Sequence, residues 1–435
     1  MLRRRQLLNG AGGLLGAMGA LFALNKSAAQ TPPQKPATAA GDVPAPSRAR
    51  GKSPYRPVRV PGAKTLPYTL KNGVKEFHLI AETVKREFAP GMVVNCWGYN
   101  GSTPGPTIEA VEGDRIRILV SNRLPEKTSI HWHGLFLPNG MDGVAGLTQP
   151  HIPVGETFAY EFTLTQHGTF MYHSHSDEML QMALGMMGFF IVHPRDPEFR
   201  PVDRDYAFML MSWDINPGTY TPNPATMTDF NTWSMNSLVF PAIPAMVART
   251  GERVRIRVAN LSMTNHPMHL HGHRFFVTGT DGGWIADSAQ WPAVTTDVPV
   301  GAIRVIEFDA ALPGDWAFHC HKSHHTMGPM NHAAANMLGV RQNDVMPKVQ
   351  KLLPDYMVMP MGSDGMGDMT DMAGMGMALP ENTLPMMAGD GPFGSIEMGG
   401  MFTMVKIRDD QRPDDETDPG WYRHPRGSVA HPVRG

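Results

Sequence analysis

The internal duplication of this chain is clearest in Gly314-Asp315-Trp316-Ala317-Phe318-His319-Cys320-His321, which repeats Gly168-Thr169-Phe170-Met171-Tyr172-His173-Ser174-His175. The two stretches are offset by 146 residues. Upstream, residues 250–260 repeat residues 112–122, and residues 298–301 repeat residues 152–155. Self-similarity in the same order along both halves predicts a duplicated domain.

Each copy contains short runs of alternating apolar and polar residues, such as 115–120 and 302–308, separated by Gly, Pro and Asn. Regular short strands with turn residues between them predict an all-β sandwich in each copy. We place the two domains at residues 57–198 and 202–345.

Cys320 lies at the centre of the second stretch, between two histidines. In an extended strand, alternate side chains point to opposite faces, so the histidines look one way and the cysteine the other. Cys320, His325 and Met330 are three of the four ligands of a blue-copper centre, which takes two His, one Cys and a weak axial Met. The second histidine must come from elsewhere, and His266 is the candidate. One strand would then serve two metal sites, which predicts an oxidase.

Four His-x-His elements of the chain lie in repeated register, two in each copy. Eight imidazoles are too many for one metal ion and suit a cluster of three, since imidazole is a good ligand for copper and zinc. The elements are His131/His133, His173/His175, His269/His271 and His319/His321.

These motifs resemble the four copper-binding motifs of the multicopper oxidase family, which includes the laccases. The resemblance covers both domains and implies two tandem cupredoxin-like Greek-key β-sandwiches that hold four copper ions per functional unit. It implies a type 1 copper held by His266, Cys320 and His325 with Met330 axial, and a type 2 copper held by His131 and His269. It also implies two type 3 coppers, held by His133, His173, His321 and by His175, His271, His319.

The resemblance implies that the type 1 copper takes single electrons from a reductant. Cys320 would pass them through His319 or His321 to the cluster, where dioxygen is reduced to water. Asp142 matches the acidic residue that the family places beside the type 2 copper, so we assign it proton delivery; an ordinary turn before Gly143 is the alternative. Thr326 stands where the family often has a second acid, and this departs from the family pattern.

Most laccases have three domains, whereas this chain resembles the two-domain, small-laccase branch. Half of the cluster ligands come from each domain, so the cluster must lie at a domain interface. In that branch the interface lies between subunits, and head-to-tail contacts of this kind close into a ring. The resemblance therefore implies a homotrimer; a monomer whose two domains face each other is the alternative.

The N-terminus has a basic start at residues 3–5, an apolar run rich in Gly and Ala to about residue 24, and small residues at 27–29. This pattern predicts a cleaved secretory signal over residues 1–29, and the run is too short for a convincing membrane span. The paired arginines resemble a twin-arginine signal, which exports folded proteins to the periplasm or medium. An uncleaved anchor is the alternative. Residues 30–56 predict a flexible linker.

The chain has 435 residues and a formal net charge of -2, which does not favour a nucleic-acid partner or an anionic membrane surface. It has only two cysteines. If Cys320 binds a metal, no intrachain disulfide is available, and Cys96 is interpreted as a small core residue.

Methionine is abundant, with 33 residues, of which thirteen lie between Met357 and Met404. We assign residues 346–400 to a Met-rich segment, 401–409 to a last strand and 410–435 to a disordered tail. Thioethers select Cu(I), so the segment is either a cuprous-ion recruitment site or a covering without a metal role. The helical spacing of Met179, Met182 and Met186 predicts one short helix over residues 176–187, and we interpret these methionines as core packing.

The leading hypothesis is an exported, laccase-like oxidase of phenols or aromatic amines with dioxygen as the second substrate. A metallo-oxidase acting on Cu(I) or Mn(II) is the runner-up, and the methionines favour Cu(I). A copper nitrite reductase needs one catalytic copper, which disagrees with eight histidines. A copper-sequestering protein is a further alternative. Storage of copper does not require Cys320 to connect two metal sites, so the sequence argues against it.

Overall fold

The structure is a computed structural model that describes residues 55–216, 218–228, 230–326, 351–352, 381–382, 389–396 and 398–433. The predicted signal, most of the linker, Met330 and most of the Met-rich segment lie outside the described residues. All described residues belong to one compact unit. None of their helices is long and apolar enough to cross a membrane.

The first half folds into two facing sheets, one ordered β1-β2-β5-β7 with β3 on β2, the other β4-β9-β8-β6. Alternate side chains of β5 are buried, as a half-exposed sheet requires. The strands are β1 Tyr68–Lys71, β2 Val74–Ala89, β3 Met92–Tyr99, β4 Gly105–Val111, β5 Arg115–Asn122, β6 His131–His133, β7 Thr157–Thr163, β8 Gly168–His173 and β9 Met187–His193, with helix α1 at Glu178–Gln181 and a 3-10 turn at Asn139–Met141.

The second half forms a sheet ordered β11-β10-β13-β19-β15-β16, with β17 on β15, and a sheet ordered β12-β23-β20-β14-β18. A hairpin joins β21 and β22. The strands are β10 Arg204–Trp213, β11 Thr232–Met235, β12 Met246–Arg249, β13 Arg253–Asn260, β14 His266–Leu270, β15 Phe275–Thr280, β16 Gly283–Trp284, β17 Trp291–Ala293, β18 Thr295–Val298, β19 Ile303–Asp309, β20 Gly314–Cys320, β21 Asp390–Gly391, β22 Gly394–Ser395 and β23 Phe402–Arg408, with 3-10 turns at Asp287–Ala289 and Ser323–Thr326.

The pairing pattern of the first half recurs in the second. Strand β2 runs parallel to β5 as β10 does to β13, and β4 runs parallel to β9 as β12 does to β23. The all-β class predicted from the sequence is therefore confirmed.

The connection before the last strand differs between the halves. In the first half β9 begins soon after β8, whereas in the second half β23 pairs with β20 although residues 321–401 lie between them. The Met-rich segment is thus an insertion between two neighbouring strands of the second sandwich.

Three apolar clusters hold the molecule together. One fills the first sandwich around Trp132 and Phe190, and another fills the second around Phe208 and Phe318. The third is made by both halves, and joins Val94 and Phe189 of the first to Met209 and Ile303 of the second. This third cluster, which we call the shared core, fixes the two halves to each other.

Residues 411–422 differ from the predicted disordered tail. The buried guanidinium of Arg204 donates hydrogen bonds to the carbonyls of Arg412 and Asp415. Lys406 pairs with Asp418 at 2.6 Å, and the Tyr422 N–H donates to Asp315. The polar composition of these residues predicted disorder. They are ordered because buried polar groups of the second sandwich require hydrogen-bond or charge partners.

Candidate metal centres

The first candidate centre is a buried group of two imidazoles and a thiol. His266 Nδ1 lies 3.0 Å from His325 Nδ1, and Cys320 Sγ lies 3.7 Å and 3.3 Å from these two nitrogens. His266 begins β14, Cys320 ends the neighbouring β20, and His325 is in the 3-10 turn that follows. The three side chains predicted for a type 1 site are therefore together.

Packing around this group fixes the two rings. Ser262 Oγ lies 2.6 Å from His266 Nε2, and the Trp233 ring stacks on His325 with centroids 4.8 Å apart. Burial lowers the pKa of His266 to about 3 and that of His325 to about 2. Burial raises the pKa of Cys320 to about 12. The imidazoles are thus neutral, with nitrogen lone pairs available.

A second group belongs to the first half and collects four histidines from β6, β8 and the turn after it. His133 Nδ1 lies 3.3 Å from His173 Nε2, and the His131 and His175 rings are 5.5 Å apart. Strands β6 and β8 pair directly, with His131 opposite His173. Burial lowers the pKa of His173 to about 3, so this imidazole is also neutral.

A third group repeats the second one in the other half. His271 Nε2 lies 3.1 Å from His319 Nε2, and the His269 and His321 rings are 5.3 Å apart. His269 lies opposite His319 on β14 and β20, as His131 lies opposite His173. Burial lowers the pKa of His319 to about 4.

Five of the ten rings in these groups are held through Nδ1 by an oxygen. The acceptors are backbone carbonyls for four histidines and a carboxylate for one: Asp142 for His131 at 2.9 Å, Ser174 for His173 at 2.9 Å, Val294 for His269 at 2.7 Å, Cys320 for His319 at 2.9 Å, and Glu178 Oε1 for His175 at 3.0 Å. Metal-binding histidines characteristically donate their second ring N–H in this way, which leaves the other nitrogen for the metal.

The donor set fits copper. In the first group, two imidazole nitrogens and a sulfur converge within 3.7 Å of one another, and a bound cation would stabilise the thiolate that burial otherwise disfavours. In the other two groups, imidazole nitrogens also converge, His133 Nδ1 with His173 Nε2 and His271 Nε2 with His319 Nε2. Imidazole and thiolate are copper ligands, and a His2Cys set is that of a blue-copper site.

A cavity of about 550 Å³ opens in front of the first-half histidines. Its described lining comes from both halves, and Met263, Val300 and Gly301 are among the second-half residues. The second-half histidines are not among the described lining residues. Five methionines face it: Met179, Met182, Met211, Met227 and Met263.

The structure differs from the predicted helix over residues 176–187. Helix α1 ends at Gln181, and the chain turns back at Gly185, whose φ of +106° favours glycine. Met186 is buried as predicted, but Met179 is 60% exposed beside the cavity. The core-packing interpretation is therefore wrong for Met179.

Two carboxylates lie next to the histidines. Asp142 Oδ1 is 3.5 Å from His131 Nδ1, beside the ring that the sequence analysis assigns to type 2 copper. Sequence reasoning missed Glu178, which faces His175. Its spacing of three residues from His175 at the start of a helix was the available signal.

Comparisons with known proteins identify the class. Two multicopper oxidase family models match residues 81–197 and 216–337, which together make up more than half of the chain. The chain belongs to the multicopper oxidase family.

Curated relatives match parts of the chain. Copper resistance protein A homolog of Pseudomonas syringae pv. tomato is 39% identical over 269 residues, which cover 50% of this chain and 44% of that protein. Copper resistance protein A of Escherichia coli is 44% identical over 132 residues, which cover 30% of this chain and 22% of that protein. This chain therefore spans less than half the length of these relatives.

Solved structures show the same fold. The blue copper oxidase from Nitrosomonas europaea superposes with a TM-score of 0.56 at 23% identity, over 76% of this chain and 85% of that one. The multicopper oxidase mgLAC gives 0.57 at 24% identity, over 80% and 91%. The predicted cupredoxin-like architecture is thereby confirmed.

Proposed function

We propose that this protein is an exported copper-dependent oxidase with laccase-like activity. It would couple one-electron oxidation of small phenolic or aromatic molecules to the four-electron reduction of dioxygen to water. One observation carries the proposal: Cys320 belongs to the buried His266–Cys320–His325 group, while the adjacent His319 belongs to a histidine group behind the same strand.

Four bound copper ions would supply the one-electron and dioxygen chemistry. The residues that would hold them are His266, Cys320, His325 and Met330 for type 1, His131 and His269 for type 2, and His133, His173, His321 and His175, His271, His319 for the two type 3 ions.

The protein would also provide the connection between the sites. The path from the Cys320 thiol to the His319 ring runs along the backbone, and the hydrogen bond from His319 Nδ1 to the Cys320 carbonyl shortens it. Asp142, beside His131, would deliver protons to the cluster. It is a half-buried carboxylate within 3.5 Å of an imidazole nitrogen, and this suits proton transfer.

We propose that three copies form a ring in which each cluster is completed between neighbouring chains. The two four-histidine groups are separate within the described chain, and each offers half of the ligands. The cavity before the first-half histidines leaves room for the second-half histidines of a partner. A monomer with facing halves is the competing arrangement.

Oxidation of Cu(I) is a second candidate function. It is favoured by the five methionines around the cavity, by the methionines of the insertion, and by the similarity to copper resistance proteins. Mn(II) oxidation has less support, because the described ligand group around His266 contains no carboxylate.

Oxygen uptake by the copper-loaded protein tests these functions, with a phenol, Cu(I) or Mn(II) as reductant. A matched variant carries serine in place of the eight methionines between Met357 and Met377. Phenol turnover that the variant retains supports the laccase-like function. Cu(I) oxidation that is faster than phenol oxidation and is lost in the variant supports a cuprous oxidase. Absence of oxygen uptake with every reductant would instead indicate copper sequestration.

Export by the twin-arginine route is supported by the N-terminal pattern. Replacement of Arg4 and Arg5 by lysine should leave the protein in the cytoplasm, which cell fractionation would detect. Unchanged export of that variant would contradict this route.

A further inference from the structure

The ligands of the buried His266–Cys320–His325 group have almost no contact with solvent. His266 and Cys320 are fully buried, and His325 is 1% exposed. An electron from a reductant in solution must therefore cross a neighbouring group before it reaches a metal held by these ligands. Because electron tunnelling weakens steeply with distance, the best route runs through a neighbour that is in close contact with a ligand and has polarisable electrons.

Trp233 is a neighbour of His325 that meets both conditions. The two rings are stacked, with centroids 4.8 Å apart and planes 20° from parallel. The indole comes from β11, which is the edge strand of its sheet, and it is 8% exposed. Trp233 thus reaches from the edge of the second sandwich to the ligand ring.

His324 extends this contact to the surface. It is exposed, and its ring centroid lies 5.2 Å from that of Trp233 and 4.3 Å from that of His325. Both contacts are edge-on, as is common for aromatic pairs. An aromatic molecule that packs against Trp233 and His324 is therefore one ring away from His325.

The other ligand ring has a less suitable neighbour. Ser262 Oγ lies 2.6 Å from His266 Nε2, and Ser262 is 1% exposed. A hydroxyl has no π electrons to share, and this one is itself closed off from solvent. The comparison favours the Trp233 side of the group as the entry point.

We propose that Trp233 is the electron-entry residue, through which small aromatic reductants pass electrons to the copper held by His266, Cys320 and His325. The inference rests on the proposed function, since it concerns the same type 1 copper. In each step a phenol loses one electron, releases its proton to water and leaves as a phenoxyl radical, and Cu(II) is reduced to Cu(I). The indole couples the two partners and is not consumed.

Stopped-flow reduction of the copper-loaded full chain by hydroquinone, without dioxygen, isolates this step through the bleaching of the blue absorption. Trp233→Leu removes the stacked ring, and Trp233→Phe keeps a smaller one. Trp421→Leu is the matched control, because it removes an exposed indole at the other end of the sandwich. Trp421 packs on Lys406, which lies opposite Asp315 at the end of β20 away from Cys320.

We expect Trp233→Leu to slow this reduction about tenfold, while the reduction potential shifts by much less than the roughly 59 mV that a tenfold change in a one-electron equilibrium constant requires. Trp233→Phe should lose less, and Trp421→Leu should keep the wild-type rate. Reoxidation of the fully reduced variants by dioxygen should also be unchanged, because the connection from Cys320 to the histidine groups is intact.

An unchanged reduction rate in Trp233→Leu would overturn the entry route. So would a faster rate, which would mean that the indole shields His325, or a potential shift large enough to explain the slower rate. If Trp233→Leu does not bind copper, Trp233→Phe decides by a rate below that of the wild type or equal to it. A copper-loaded wild type without blue absorption would overturn the proposed function itself, and the entry route with it.

Discussion

The ring nitrogen Nδ1 of His319 lies 2.9 Å from the carbonyl oxygen of Cys320, the next residue along the chain. His173 and Ser174 have the same relationship at 2.9 Å in the first half. Both halves therefore orient this histidine in the same way, and they differ in the side chain that follows it. Only the second half has a thiol there.

Replacing Cys320 with serine should make the second half resemble the first. Because a serine hydroxyl is a poor copper ligand, we expect loss of blue absorption, one copper fewer per chain and no oxidation of phenols. The histidine groups should keep their copper, as metal analysis and EPR would reveal. Cys96→Ala is the matched control, since burial raises the pKa of that thiol and keeps it unreactive. A blue Cys320→Ser protein would contradict the ligand assignment.

Two inactive variants should restore activity when they are mixed. One carries His131→Ala and His133→Ala, and the other carries His269→Ala and His271→Ala. If each cluster forms between two chains, coexpression yields some interfaces with all eight histidines, and oxygen uptake returns in part. Each variant alone should stay inactive.

Native mass spectrometry of the same samples would give the number of chains. Inactivity of the mixed trimers, or a monomeric active wild type, would favour clusters built within one chain.

Asp142→Asn should slow oxygen reduction by about 10²-fold or more, because an amide cannot deliver a proton. Copper content should not change, since His131 is held by the backbone carbonyl of residue 142. Anaerobic reduction of the type 1 copper by a phenol should keep its wild-type rate, which stopped-flow absorbance would measure. An equal fall in both rates would mean that Asp142 has no specific part in proton delivery.

The buried Asp205 should contribute strongly to stability. It pairs with Arg257 at 2.7 Å and Arg255 at 3.2 Å, both nearly inaccessible. Asp205→Asn would leave the buried Arg257 guanidinium without its carboxylate partner, whereas Arg255 would keep Glu307, so we expect a loss of about 3–5 kcal/mol in the free energy of unfolding. Denaturant titration of the apoprotein would measure it. Asp309→Asn, in an exposed pair with Arg253, should change stability by less than about 1 kcal/mol.

This difference should depend on pH. Burial alone would raise the pKa of Asp205, but Arg257 and Arg255 hold it below the ordinary value of 3.8. A lowered carboxyl pKa stabilises the folded state above the unfolded pKa, and the contribution is lost as pH falls through the folded one. Wild type and Asp205→Asn should therefore differ most near neutral pH and converge well below pH 3.8. A constant difference would exclude titration of Asp205 as its source.

The repeat was enough to predict the two sandwiches, and the Cys320 motif was enough to predict the grouping of His266, Cys320 and His325. The predicted copper sites that combine histidines of both halves stay a prediction, because the described chain keeps the histidines of each half in a separate group. The repeat has this predictive value because register fixes which strand residues face each other: the offset of 146 residues alone places His319 where His173 lies. Cys320 then identified the half with the mononuclear group.

Pairings across long separations could not be predicted in this way. The Cys320 N–H donates to the Met401 carbonyl only because β23 returns to β20 after the insertion, and strand pairing at that distance leaves no local signal. Glu178 and the contacts of residues 411–422 depend on partners elsewhere in the fold. The polar composition of residues 411–422 indicated a solvent-exposed segment. In the structure, the buried guanidinium of Arg204 donates hydrogen bonds to two backbone carbonyls of that segment.

The shared core also limits how this protein can be recombined with its relatives. Met209 and Ile303 of the second half pack in the same cluster as Val94 and Phe189 of the first. A chimera that joins one half to a foreign partner would expose apolar surface or leave voids unless it carries matching residues from both sides. Exchange of copper sites between homologues should therefore succeed when both sandwiches are transferred together.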